Sequence, residues 1–391
     1  MSTIHVDASY KSLYKYGEEL CGDRVEIVRT EDSLIMVLAD GLGSGVKANI
    51  LSTLTSKIIA TMIKEGAQIE EVVDTITNTL PICNVRKLAY STFSILQLFY
   101  DGEAYLVEFD NPSCVFIRNG EIMNIPFETR TINGKMIREA RFQAVVGDSF
   151  TLMSDGVIHA GVGAVLNFGF LWENAAAHLQ TALQTEKTAA RLAVSLSQVC
   201  ESLYAGKPGD DTTVAVAMIM PNKVVNLFSG PPKDKEQDET LVHDFMRERG
   251  KRIVCGGSSA QIVARVLHRD IKTTLDYTDP EIPPIAKIDG IDLVTEGVLT
   301  LSKTNDLIRK FRDHTMDFSD FKDLDADNGA AMLAKMLLED CTTLNLFIGK
   351  AINPAHQNPN LPVDLSIKLR IIKELGELLT GLGKKVNVKY Y

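Results

Sequence analysis

The sequence predicts an α+β fold for its first part, a β-sandwich flanked by paired helices, followed by a second, α/β domain. Three observations carry this expectation. Strand-like apolar runs broken by Gly and Asn turns fill residues 25–39 and 91–154, and stretches with helical apolar spacing lie on either side of them. After Pro221-Asn222 the rhythm changes to strand-then-helix. At 391 residues the chain exceeds one ordinary domain, and the expected division is 1–221 and 222–391.

In chain order, residues 25–30 and 33–39 read as two strands with Glu31-Asp32 as their turn. Gly41 to Gly45 opens a helix over about 46–64, whose apolar residues Ile50, Leu54, Ile58, Ile59 and Met62 recur at helical spacing until Gly66 closes it. A second helix covers 69–79, and Pro81 ends it. Strands follow at 91–100, 104–109, 113–118, 121–126, 136–141 and 149–154. Asp101-Gly102 and Asn119-Gly120 are read as type I′ turns, which need positive φ at both central residues. Helices at 168–183 and 186–203 and a strand at 212–220 complete the first part.

In the second part, Pro231 to Glu236 form a polar turn, and 251–255 is a short strand. Gly256-Gly257-Ser258-Ser259 leads into a helix over 260–268, a strand at 291–294 precedes a helix near 304–311, and 343–348 is a strand. A long helix within 362–382 and a last strand at 385–389 follow. The strand–turn–helix at Gly256, Gly257, Ser258 and Ser259 is a possible anion-binding turn, though it is not a complete dinucleotide or P-loop motif, and a close-packed turn is the alternative. Residues 292–298 and the loop bearing Pro354, Pro359 and Pro362 are further places where polar groups could converge. A ligand-sensing or partner-docking domain is expected here, with a structural, homodimer-forming domain as the alternative.

Composition narrows the classes. With 45% hydrophobic and 24% charged residues the chain is globular, and a net charge of -10 argues against a nucleic-acid surface, which needs clustered Lys and Arg. The six cysteines are scattered without a CxxC pair, so neither a zinc site nor a disulfide framework is expected, and buried reduced thiols of a cytoplasmic protein are. No secretory signal precedes the first motif, and no apolar stretch of about 18 residues suggests a membrane span.

Four acidic segments carry the chemistry: Cys21-Gly22-Asp23, Asp40-Gly41-Leu42-Gly43-Ser44-Gly45, Ser154-Asp155-Gly156-Val157 and Asp210-Asp211-Thr212-Thr213. A lone Asp-Gly is ordinarily a turn, and Gly43-Ser44-Gly45 is either an anion site at a helix start or a flexible cap. Carboxylates delivered from several strand ends to one point, however, are how a protein holds hard divalent cations. Two such ions about 3.5–4 Å apart can clamp phosphoryl oxygens and activate water, which phosphate-monoester hydrolysis requires.

The order and spacing of these segments resemble the PPM (PP2C-type) metal-dependent serine/threonine protein phosphatases, in their bacterial stage II sporulation protein E-like branch. Asp23 matches the first acidic position, Asp40 to Gly45 match Asp-Gly-Met-Gly-x-Gly, Gly147-Asp148 with Ser154 to Val157 match Gly-Asp…Ser-Asp-Gly-Val, and Asp210 to Val214 match Asp-Asp-x-Thr-Val. Asn111-Pro112-Ser113 is a poorer match to an Ala-Gly-His-Pro-Pro-like turn. The resemblance covers about residues 1–220. It implies two Mn²⁺ or Mg²⁺ ions, with Asp40 bridging them, the Gly41 carbonyl joining one, Asp23 holding the second, and Asp155 and Asp210 holding the first. Asp210 is preferred to Asp211, which is left in a supporting position. Attack of a metal-bridging hydroxide on phosphoserine or phosphothreonine would follow.

The implied substrate is a phosphorylated signalling protein, such as a STAS-type anti-anti-sigma protein. The Arg that many eukaryotic relatives carry before the first acidic ligand is missing from Tyr16-Gly17-Glu18-Glu19-Leu20, which leaves the phosphate-gripping residue open, with Arg24 or a loop residue as options. Residues 46–80 are either a control element, as in that branch, or a plain core helix pair. His5 and His159 are read as ordinary polar residues. Two other functions stay open: a non-catalytic binding protein with the same fold, which five retained carboxylates argue against, and a small-molecule phosphatase.

Overall fold

The computed structural model describes residues 4–79, 91–273, 285–351 and 367–391. The expected end of the second helix at Pro81, Cys83 and the loop of Pro354, Pro359 and Pro362 lie outside the described residues. The chain divides into two compact units, Met1–Pro221 and Asn222–Tyr391.

The first unit is an α+β sandwich. Its elements are β1 (His5–Leu13), β2 (Asp23–Arg29), β3 (Ser33–Gly41), α1 (Gly45–Lys64), α2 (Ile69–Thr79), β4 (Ser91–Phe99), β5 (Glu103–Phe109), β6 (Val115–Arg118), β7 (Glu121–Met123) and β8 (Glu128–Ile132). They continue as β9 (Lys135–Gln143), β10 (Ser149–Met153), the single-turn α3 (Asp155–Ile158), α4 (Trp172–Ala182), α5 (Ala189–Leu203) and β11 (Thr212–Met220). One antiparallel sheet runs β2-β3-β4-β5-β9-β8 and the other β1-β11-β10-β6-β7.

Strand β3 explains the layering. Successive side chains of a strand point to opposite faces. Leu34, Met36 and Leu38 pack with Phe116, Phe150 and Leu152 of the other sheet, whereas Ile35, Val37 and Ala39 pack under Ile59, Ile63, Val72 and Ile76 of α1 and α2. Both faces are covered, so the strand is apolar throughout instead of alternating. On the other side, α4 and α5 bury Leu179, Leu192 and Leu196 against Val115, Val214 and Val216.

Several local expectations need correction. Asn119 and Gly120 do have positive φ, but at Asp101-Gly102 only Gly102 does. There the Gly102 N–H bonds the Phe99 carbonyl at 2.9 Å, giving an ordinary turn followed by a glycine bulge instead of type I′. Helix α4 starts later than expected because Leu171 has φ 67, incompatible with a continuing helix. Helix α5 begins after Thr188, whose hydroxyl accepts from the Arg191 N–H. Strand β7 is shorter than expected, and β1 and β8 are additions.

The second unit contains β12 (Val224–Ser229), a 3₁₀ turn (Lys235–Gln237), α6 (Asp238–Arg247), β13 (Lys251–Cys255), α7 (Gly257–Leu267), β14 (Lys272–Thr273), β15 (Ala286–Lys287) and β16 (Leu293–Thr295). Then come α8 (Val298–Arg312), α9 (Phe318–Leu324), α10 (Gly329–Glu339), β17 (Thr343–Ile348), α11 (Ile367–Gly381) and β18 (Lys385–Tyr390). Five parallel strands run β16-β13-β12-β17-β18, with β15 and β14 added antiparallel at the β16 edge. Counting only those five in chain order gives 3-2-1-4-5, the doubly wound arrangement. The α/β class is thus as expected, while β12, α6, α9 and α10 are additions and α8 is longer than the 304–311 helix. Asn226, Asn345 and Asn387 stand in register on β12, β17 and β18, and each of the last two donates its amide to the preceding one, at 2.8 and 2.9 Å.

The five described cysteines, Cys21, Cys114, Cys200, Cys255 and Cys341, are buried and free. Among the described residues no helix is long and apolar enough to cross a membrane.

Candidate metal centre

The two sheets bring the acidic segments together. On one, Asp23 begins β2 and pairs directly with Asp40 near the end of β3. On the other, β10 runs into Asp155 while β11 starts just after Asp210-Asp211, and the antiparallel pairing of Met153 with Val214 sets these ends side by side. Ser154 fastens them: its N–H donates to the Thr213 carbonyl at 3.0 Å and its hydroxyl accepts from the Thr213 N–H at 2.9 Å.

Close backbone packing fixes the approach. A side chain at Gly41 would strike the Ala48 carbonyl of α1, and the Gly41 N–H bonds the Gly22 carbonyl at 3.1 Å. Asn49 of α1 donates to the Cys21 carbonyl at 2.8 Å, tying the same helix to the segment before Asp23. A side chain at Gly156 would strike the Asp211 carbonyl, and the Tyr204 hydroxyl donates to the Gly156 carbonyl at 2.7 Å. These contacts explain why small residues sit beside the acids in three of the segments.

The electrostatics follow from gathering like charges. Burial, then Asp23, Asp155, Asp210 and Asp211 in turn, push the Asp40 carboxyl up to about 9. Burial foremost raises Asp23 to about 7, with Asp211 and Asp155 adding to it. The Ser154 and Thr213 hydroxyls beside it pull Asp23 back down, although neither meets hydrogen-bond geometry with its carboxyl oxygens, and Thr213 Oγ1 donates to Ser12 Oγ at 2.8 Å. Burial and Asp210 raise Asp155, while His159 and a hydrogen bond from the Asp40 carboxyl oppose them.

Both carboxyl oxygens of Asp23 and Oδ2 of Asp211 are buried without a hydrogen-bond partner. Buried carboxylates left unsatisfied are costly, and a cation is the natural complement. The donor set is all oxygen, the kind that Mg²⁺ and Mn²⁺ take. The residues therefore fit divalent ions in chemistry, although among the described residues no three acidic or imidazole side chains already stand in ligating geometry.

Asp211 is the more buried of its pair, at 4% exposure, and its Oδ1 accepts the Lys15 N–H at 3.1 Å. Asp210 is more open, accepts the Asp211 N–H at 3.0 Å, and lies 3.6 Å from Lys15 Nζ. Asp148 of the Gly-Asp segment does not face this centre. Its carboxylate is held by Arg118 and by the Val145 N–H at 2.9 Å, which pins the turn before β10. Asn111 accepts from Thr92 Oγ1 at 2.7 Å and donates to Ser94 Oγ, beside Ser91, whose hydroxyl bonds the Asp40 carbonyl at 2.7 Å. Lys15 and Glu18 beside the acids were not singled out by the sequence, and His159, read there as an ordinary polar residue, stands close enough for its charge to lower Asp155. Arg24, an option for gripping phosphate, donates to Glu26 at 3.2 Å instead.

In the second unit the four residues of the expected anion turn are divided. Gly257 to Ser259 lie in the first turn of α7, Ser258 is exposed, and the fully buried Ser259 hydroxyl accepts the Gly230 N–H at 2.7 Å. Nearby, Lys368 Nζ packs on Gly230, and burial lowers its amine to about 8 against the opposing effect of Cys255.

Residues 30–219 match the family model described as Stage II sporulation protein E (SpoIIE), a match that starts after Asp23 and includes the other acidic segments. No curated protein matches the chain. Among solved structures it is similar to the PP2C phosphatase domain and regulatory-domain fragment of the cell fate determinant SpoIIE from Bacillus subtilis, at 19% identity and TM-score 0.49, covering 57% of this chain and 66% of that one. It is also similar to the RsbU and RsbW domains of a Mycobacterium tuberculosis protein, at 16% identity and TM-score 0.47, covering 68% of this chain and 73% of that one. A third is RsbX in complex with magnesium, at 19% identity and TM-score 0.39, covering 56% and 100%.

Proposed function

We propose that the first unit is a divalent-metal-dependent phosphatase that hydrolyses phosphoserine or phosphothreonine on a partner protein. The observation that carries this reading is the convergence of Asp23, Asp40, Asp155, Asp210 and Asp211 from two sheets, with buried carboxyl oxygens on Asp23 and Asp211 that lack partners. In this reading Asp40, Asp155 and Asp210 hold one ion, Asp40 and Asp23 hold the other, the Gly41 carbonyl contributes, and Asp211 supports Asp210 from the buried side. When bound, Mn²⁺ or Mg²⁺ would offset the phosphoryl charge and make water a competent nucleophile near neutral pH.

The protein residues have their own task. Five carboxylates repel a phosphate dianion, so a phosphate monoester is accepted only when cations are held there. The fastening of Ser154 to Thr213 and of α1 to Gly41 and Cys21 keeps the ligands in place before substrate arrives, so little reorganisation is left for the reaction. The partner is a phosphorylated signalling protein of the STAS anti-anti-sigma kind, and the second unit regulates the first or senses a ligand.

The test is turnover of phosphoserine and phosphothreonine proteins alongside p-nitrophenyl phosphate, in Mn²⁺, Mg²⁺ or EDTA. Turnover is expected with either ion and none in EDTA, with kcat/KM for a cognate phosphoprotein at least about 100-fold above that for free phosphoserine, since binding energy away from the reacting phosphate is available only in the protein. Absence of all turnover in Mn²⁺ would sink the proposal. Equal kcat/KM for protein and free phosphoserine would instead favour a small-molecule substrate.

A further inference from the structure

We propose that Lys15 is the residue that takes the substrate phosphoryl group at this centre, an inference that rests on the phosphatase reading above. It begins with strand register. Strand β1 pairs antiparallel with β11 down to Leu13 opposite Thr212. Continuing that register by two residues sets Lys15 opposite Asp210, and Lys15 Nζ stands 3.6 Å from Asp210 Oδ1, with its side chain 35% exposed. The backbone around it is tethered: the Lys15 N–H donates to Asp211 Oδ1 at 3.1 Å, and the Tyr16 N–H donates to the Pro208 carbonyl at 2.8 Å. A cation is thereby held at the rim of the carboxylates, with its side chain still partly exposed.

Other anion-attracting groups near the acids are occupied by carboxylates of the chain. At the start of α1, Ser44 donates its hydroxyl to Glu18 Oε1 at 2.9 Å, and the Glu18 carboxylate lies against Gly45. A carboxylate of the chain thus covers the helix start, where a phosphate would otherwise be drawn. Arg24 and Lys57 both pair with Glu26. Lys15 alone among these cations is paired with one of the five carboxylates. With Asp210 engaged by divalent ions, the Lys15 ammonium would be released to take a phosphoryl oxygen held beside the same ions. A charge-assisted hydrogen bond of this kind is worth about 1.5–3 kcal/mol, or roughly 10- to 150-fold.

The experiment compares the wild type with Lys15→Met and Lys15→Arg in the full chain. It uses Mn²⁺ titration alone, calorimetric binding of inorganic phosphate at saturating Mn²⁺, and p-nitrophenyl phosphate kinetics. The partial exposure of the side chain lets the methionine variant fold, which its melting temperature verifies. Lys15→Met is expected to weaken phosphate binding and lower kcat/KM by about 10- to 150-fold, mainly through KM, with Mn²⁺ binding unchanged and the arginine variant recovering most of the loss. Wild-type phosphate affinity and kcat/KM in Lys15→Met, or a change confined to Mn²⁺ binding, would overturn the inference and make Lys15 only a counter-charge for Asp210. A wild type that neither binds Mn²⁺ nor hydrolyses any phosphate would instead defeat the phosphatase reading, and this inference with it.

Discussion

Asp40→Asn is expected to abolish metal-dependent hydrolysis while leaving the metal-free protein folded. Asp40 faces all four of the other acids, and its carboxyl is the one raised furthest, to about 9. In the proposed arrangement it is the ligand shared by both ions. Loss of a single preorganised group aimed at transition-state charge costs about 10²–10³-fold in kcat, and loss of a shared ligand should cost at least that. Near pH 7 the asparagine has nearly the shape and charge of the protonated acid, so the metal-free variant should melt close to the wild type. Turnover of the variant within about tenfold of wild type in Mn²⁺ would remove Asp40 from the centre.

The second large effect is on stability against pH. An ordinary aspartate titrates at 3.8, yet in the metal-free fold Asp23 is raised to about 7, Asp40 to about 9, and Asp155 is raised as well. Between these limits the folded state binds more protons than the unfolded state, so stability falls as pH rises. The contribution is fully present below about pH 4 and is lost progressively through pH 7 and then pH 9. In a chelator, raising pH from 5.5 to 9 should therefore cost stability and lower the melting temperature by at least about 5–10 °C. Mn²⁺ should reverse the trend, because ligands must lose protons to bind metal and binding is tighter at higher pH. Asp40→Asn should flatten the upper part of the decline. A melting temperature that holds or rises between pH 5.5 and 9 in chelator would contradict this account.

Much of the first unit could be read locally. The unbroken apolar run Leu34 to Ala39, ending in Asp40-Gly41, marked a strand, and α2 carried clear helical spacing. In α1, by contrast, two of the residues that suggested the helix, Ile50 and Leu54, are exposed, and the buried face runs through Ala48, Leu51, Thr55 and Ile59. What escaped depends on distant pairing. Strand β1 alternates apolar Val6, Ala8 and Tyr10 with polar residues, but its partner β11 lies about two hundred residues away, and only that pairing brings Lys15 to Asp210. His159 follows Asp155 in the chain with no motif to mark it, yet its charge bears on that carboxyl. The Asn119-Gly120 turn was legible from composition, and Asn133-Gly134, with the same positive φ at both residues, carried the same unused signal for the β8–β9 hairpin.

In the second unit β12 went unread because it follows directly on Pro221-Asn222 and is short. Its Asn226 would otherwise argue against a buried strand. The structure supplies the missing reason, since that amide is satisfied by Arg249 and Lys251 carbonyls and by Asn345 on the neighbouring strand. The recurrence of Val-Val-Asn, Thr-Leu-Asn and Lys-Val-Asn at the starts of β12, β17 and β18 is the sequence trace of that ladder. Helix α10 had an Asn328 cap and a run of strong helix formers, Ala330 to Leu338, that the strand-centred reading passed over.

The central claim is that these carboxylates hold two divalent ions, and counting bound ions tests it most directly. Equilibrium titration of the full chain with Mn²⁺ near pH 7.5, by calorimetry with paramagnetic detection of free ion, should give two ions per wild-type chain with protons released on binding. The Asp40→Asn chain should lose at least one of them. Binding of no ion at millimolar Mn²⁺, or the same stoichiometry and affinity in wild type and Asp40→Asn, would contradict the account.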